Sequence, residues 1–181
     1  SWQCFFPNAI GADKGLQLDN TGTWAGPFFS THLSDDMPTT SVVKLGNGAA
    51  TNTFADGVGQ DYIMYCWANK DGYSKAGKYT GNGNADGTFV YTSFAPAYIL
   101  WKNITDAGTN WVVFDNKRDT YNPNDDALYP NASTAEEEDY DVDFLSNGFK
   151  FRNTSSWANL GGKSYIYIAF ASVPFKFSNA R

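Results

Sequence analysis

The chain has 181 residues and a mass of 19.9 kDa, enough for one large β domain or two small ones with their own cores. Aromatic residues make up 17% and charged residues only 18%, a bias that suits pleated, packed strands and speaks against charged amphipathic helices. A net charge of −6 with a pI near 4.6, and 13 scattered basic residues, exclude a phosphate-binding surface as the main design, and no apolar run is long enough to cross a membrane as a helix.

Taken in chain order, the predicted strands recur. Trp2-Gln3-Cys4-Phe5 has a counterpart in Trp111-Val112-Val113-Phe114, and Val43-Lys44-Leu45 has one in Phe149-Lys150-Phe151. Tyr62-Ile63-Met64-Tyr65-Cys66-Trp67-Ala68 pairs in the same way with Tyr165-Ile166-Tyr167-Ile168-Ala169-Phe170-Ala171. The offset shrinks slowly along the chain, as deletions in loops would produce while strands keep register. Between these blocks lie strands that occur once, at Lys78 to Thr80, Thr88 to Thr92 and Ala97 to Lys102. The pattern predicts an all-β fold, an antiparallel β-sandwich of two related repeats, 1–75 and 76–181. The first repeat is expected to be incomplete at its start, its missing strands supplied upstream or by another subunit. Ser1 opens no basic-then-apolar leader, and the segment reads as soluble and cut from a longer chain.

Tyr62 to Trp67 and Tyr165 to Phe170 are apolar at nearly every position, which predicts strands covered on both faces. Gly-Asn clusters such as Gly46-Asn47-Gly48 and Gly81-Asn82-Gly83 supply tight turns. Gly81 to Gly87 lacks the Lys-Ser/Thr and helix start of a phosphate cradle and fits a long hairpin connection.

An ordered series of motifs carries a family resemblance. The series is Asp71-Gly72-Tyr73-Ser74-Lys75, Tyr79-Thr80-Gly81-Asn82-Gly83, Asp86-Gly87-Thr88-Phe89-Val90-Tyr91-Thr92, Asp115-Asn116-Lys117-Arg118, Asp143 to Lys150 and Tyr165 to Ala171. Together these resemble C-terminal repeat modules of tail and other virion structural proteins of tailed bacteriophages, over nearly the whole chain. The resemblance implies a place on the virion exterior, next to lectin-like or fibre regions, and no defined chemistry. Relatives often carry Phe-Arg-Pro where this chain has Phe94-Ala95-Pro96, so a role resting on that arginine is lost here.

No catalytic set emerges. The single His32 has no counterpart in the second repeat, and no nucleophile elbow is present. Cys4 and Cys66 align with Val113 and Ala169, which suits small buried hydrophobes; a Cys4–Cys66 disulfide is compatible with the pattern but not required by it. No zinc-ligand spacing appears, and no cofactor is expected. Acidic stretches at Asp119 to Asp126 and Glu136 to Asp143 read as solvated loops, with a calcium site or a glycosidase carboxylate pair as lesser alternatives. Exposed aromatics are the best binding feature, because sugar rings stack on flat faces. Trp24, Trp101, Trp157, Tyr121 and Tyr129 are the candidate ligand-binding residues, each with core packing or a subunit contact as the competing role.

These readings lead to a non-enzymatic module of a tail fibre, spike or tail tip that contributes to host-surface glycan binding. Its expected partners are further copies of itself and other virion proteins, with a trimer, as in many phage fibres, the first order to test. Neither nucleic acid nor a membrane is among them. A capsid-decorating or head-fibre role is the structural alternative, and a polysaccharide-hydrolysing tailspike fragment is the enzymatic one.

Overall fold

The computed structural model describes residues 2–10, 14–23, 33, 36–46 and 61–173. Two antiparallel four-stranded sheets face each other across one core. The first sheet runs β3 (Ser74–Thr80), β10 (Ser164–Ala171), β5 (Pro96–Asn103), β6 (Trp111–Asp115). The second runs β4 (Phe89–Tyr91), β9 (Gly148–Phe151), β8 (Glu137–Leu145), β7 (Asn124–Ala127). The fold is therefore the expected all-β antiparallel sandwich.

Period-two alternation decides what lies between the sheets. Ile99 and Trp101 of β5 point inward, as do Tyr165, Tyr167 and Ala169 of β10, Val142 of β8, and Phe149 and Phe151 of β9. The interior is unusually aromatic. Tyr79 stacks on Tyr165 at 4.9 Å between centroids and on Phe151 at 5.1 Å, and Trp101 stacks on Phe114 at 5.2 Å. Such pairs add about 1 kcal/mol each beyond the area they bury.

The outer face of the first sheet is covered from the N-terminal side. β1 (Gln3–Cys4) and β2 (Leu16–Gln17) form a two-stranded ribbon flanking a single helical turn, α1 (Pro7–Ile10). Ile10 and Leu16 from this layer pack on Ile104, Trp111 and Ile166, with Phe6 and Leu18 beside them. Trp111 donates its indole N–H to the Gln17 carbonyl at 2.9 Å, and Gly108 N–H donates to the Thr21 carbonyl at 3.0 Å. The Tyr165 to Phe170 run is thus a central strand, with the sandwich core on one face and this layer on the other.

Its sequence counterpart behaves differently. Residues 61–69 belong to no strand and are exposed throughout, although the pattern of Tyr62 to Trp67 predicts a strand covered on both faces. Val43 to Leu45, the counterpart of β9, lies outside any strand, and β1 pairs with β2 and does not take the place of β6. Burial of an apolar strand needs neighbours on its edges and faces, and among the described residues no strand pairs with 61–69.

Among the described residues no helix is long and apolar enough to span a membrane.

Candidate functional site

The exposed aromatic row grows out of the start of β3. A hairpin closes where Lys70 and Ser74 bridge, with Gly72 at φ 67° supplying the left-handed turn residue. Ser74 Oγ donates to the Ala68 carbonyl at 2.7 Å, and Ala76 N–H donates to Asn69 Oδ1 at 2.7 Å, so the chain entering β3 is held tightly. Upstream of that anchor the side chains stand in solvent. Trp67 is 60% exposed and meets Phe170 edge-on at 6.3 Å. Tyr65 stacks beside Trp67 at 6.0 Å and Trp2 beside Tyr65 at 6.2 Å, giving a row from the N-terminal layer to the sandwich. Phe170 extends it to Tyr73 and Tyr98 at 6.2 and 5.9 Å.

An open pocket of about 430 Å³ adjoins this row, lined by Cys66, Trp67, Ala68, Lys70, Tyr73 and Ser74. Its lining has no carboxylate or imidazole to act as a general acid or base. Contact through ring faces and the Lys70 ammonium is what this surface is equipped to do.

The candidate residues named from sequence are placed unevenly. Trp24 lies outside the described residues, as does His32. Trp101 is not an exposed platform but the centre of the core, fully buried, with its indole N–H donating to the Trp157 carbonyl at 3.0 Å. Tyr129 is likewise buried, and its hydroxyl donates to Glu137 Oε2 at 3.1 Å. Trp157 is half-buried, stacked on Tyr140 at 5.7 Å and edge-on to Tyr129 at 5.8 Å. The fold brings Trp101, Tyr129 and Trp157 together as packing, because each lies on the inward side of its segment. Tyr121, 82% exposed, stands apart between β6 and β7. Sequence reading missed Trp2, Tyr65 and Trp67; the unbroken apolar run was visible, but its lack of cover was not.

The acidic stretches are tied down from within. Arg118, just ahead of the first stretch, bonds Asp115 Oδ2 at 2.7 Å and also pairs with Glu136 at the start of the second. Burial opposes ionisation of Asp115, but hydrogen bonds from the Arg118 side chain and from the Arg118 and Lys117 N–H groups outweigh it and hold the carboxyl below its usual range. Desolvation, reinforced by Glu136, Asp119 and Asp125, raises the Asp126 carboxyl. Among the described residues no three His, Cys, Asp or Glu side chains gather as a metal-ligating set. Gly81 to Gly87 wraps the buried Asn159 amide, whose Nδ2 lies 2.8–2.9 Å from Asn82 Oδ1 and the Asn84 and Asn153 carbonyls while its Oδ1 accepts from the Asn82 N–H. A Cβ on Gly87 would sit 2.3 Å from the Phe151 carbonyl oxygen, which explains glycine there.

Both thiols are free. Cys4, in β1 of the N-terminal layer, packs against the Ile10, Leu16 and Trp111 cluster, and burial pushes its thiol up to about 11; Cys66 is exposed at the pocket, not buried as its alignment with Ala169 suggested.

A family model described as "Domain of unknown function (DUF7483)" matches residues 1–174. No curated protein and no solved structure matches the chain.

Proposed function

The chain belongs to the DUF7483 family, whose description assigns no activity, and on that premise we propose that it is a non-catalytic structural module on the exterior of a phage virion, assembling as a homo-oligomer and contributing to host-surface glycan binding. The observation that carries this reading is the uncovered apolar run ending at Trp67. Ile63, Met64, Tyr65, Cys66 and Trp67 are consecutive and exposed, on a chain whose matching run in β10 is buried from both sides. A contiguous apolar surface of this kind marks a protein contact. Further copies of the chain are the proposed cover, and repetition on an oligomer converts weak single sites into strong adhesion. The resemblance of the motif series to phage virion modules supports the virion setting.

Sedimentation tests the assembly. At micromolar concentration the chain is expected to run as an oligomer, and the double variant Ile63→Asp, Trp67→Asp as a folded monomer. A well-folded wild-type monomer overturns the proposed contact. Incubation with host surface polysaccharide should show binding without release of saccharide; release would favour the hydrolytic reading, and absence of the protein from imaged virions would remove the virion role.

A further inference from the structure

We infer that the outer face of the second sheet binds an acidic saccharide. The inference rests on the adhesive reading above and gives it a location and a ligand class. Unlike the first sheet, whose outside is covered by the N-terminal layer, this sheet presents side chains on its outer face that nothing in the described chain overlies fully. Val90 and Phe149 point into the core, so alternation turns Phe89, Tyr91 and Lys150 outward. Phe89 is 43% and Tyr91 55% exposed, whereas Val90 between them is buried.

Two rows cross this face. In one, Tyr91 lies opposite Gly148, and Gly148 opposite Leu145. Glycine leaves the middle of that row without a side chain, and the Phe89 ring fills the space: a Cβ on Gly148 would come within 2.9–3.0 Å of Phe89 ring atoms. The result is a low aromatic platform. In the other row Phe89, Lys150 and Asp143 are successive cross-strand neighbours. Lys150 Nζ pairs with Asp86 at 2.6 Å, and Arg152 joins Asp86 at 3.2 Å to Asp143 at 2.6 Å.

Around the platform the charge is balanced, Lys75, Lys150 and Arg152 against Asp86, Asp141 and Asp143, on a chain that carries −6 overall. Asp86 and Asp143 are already engaged by Lys150 and Arg152. Lys75 comes across from β3, its ammonium 5.1 Å from the Tyr91 ring centroid and donating to the Tyr91 carbonyl at 3.0 Å. An ammonium has three donors, so others remain to receive an anionic group at the edge of the platform. A pyranose ring laid on Tyr91 and Phe89 would bring its carboxylate or sulfate to Lys75 and Lys150. An apolar partner would leave the charged row unmatched.

The test is binding of the full chain to polygalacturonate, dextran sulfate, neutral dextran and a single-stranded oligonucleotide. The two acidic polysaccharides, which separate carboxylate from sulfate as the anion, are expected to include at least one that binds about tenfold or more tightly than neutral dextran, with affinity falling as salt rises. Tyr91→Ala and Lys75→Gln should each weaken that binding about tenfold with an unchanged melting temperature, since both side chains lie at the surface. The Ile63→Asp, Trp67→Asp variant should keep the affinity of a single site. Equal binding of neutral dextran, tighter binding of the oligonucleotide, failure of both acidic polymers to bind, or indifference to both Tyr91→Ala and Lys75→Gln overturns the inference. If host polysaccharide still binds in any of those cases the adhesive reading stands; if it does not, both fall.

Discussion

Lys102 carries a positive charge into a place where, among the described residues, no carboxylate pairs with it. Its side chain is fully buried, and its ammonium donates to the Thr109 carbonyl at 2.9 Å, Thr109 Oγ1 at 3.0 Å and the Asn103 carbonyl at 3.1 Å. Burial lowers its pKa from 10.5 to about 8. A lysine lowered in this way holds its proton more tightly in the unfolded chain, so stability rises with pH from about 8 toward 10.5. The Cys4 thiol, raised from 9.0 to about 11, acts in the opposite sense once pH passes 9. From pH 8 to 9 Lys102 should contribute a rise of roughly 1 kcal/mol, offset in part by Cys4, whose thiol begins to ionise in the unfolded chain as pH nears 9. Denaturant unfolding at the two ends of that window should show the rise in the wild type and not in Lys102→Met. An equal slope in the variant would assign the effect to another group. Alternation places Lys102 on the side of β5 opposite the inward-facing Trp101, and the docked N-terminal layer makes that outer side an interior.

At the scale of elements, the β4–β9 pair is set by how closely two backbones approach. A Cβ on Gly148 would stand 2.2 Å from the Val90 carbonyl oxygen, a distance that no side-chain rotation relieves. Gly148→Ala should therefore force the strands apart and cost about 2 kcal/mol or more, read as a lowered urea midpoint. An unchanged midpoint would mean that the pair is looser than described. The strands themselves were legible from sequence: Thr88 to Thr92 alternates, Tyr165 to Phe170 is apolar throughout, and each is found as a strand. The outward direction of Phe89 and Tyr91 followed from the same alternation once Val90 was placed inward. Tyr62 to Trp67 was legible as a strand for an equally good local reason, yet it stands exposed, because a strand exists only where another strand meets its edge.

For the whole molecule, the N-terminal layer acts as a third stratum on the sandwich. Leu16 is almost wholly buried against the Ile104, Trp111 and Ile166 cluster, so Leu16→Ala should destabilise the protein by about 3 kcal/mol in urea unfolding. A change within measurement error would show that the layer contributes little to the fold. The amino-acid sequence by itself determined the class of fold and the absence of helical periodicity, since these depend on local sterics and on a period of two along each strand. Gly81 to Gly87, read as a hairpin connection, instead carries the chain from one sheet to the other. The tertiary structure alone decided which aromatics are core and which are surface. Trp101 and Tyr129 are hidden while Trp67 and Tyr91 stand in solvent, because exposure depends on what packs across from a residue, and a linear pattern holds a residue's neighbours in sequence but not those in space.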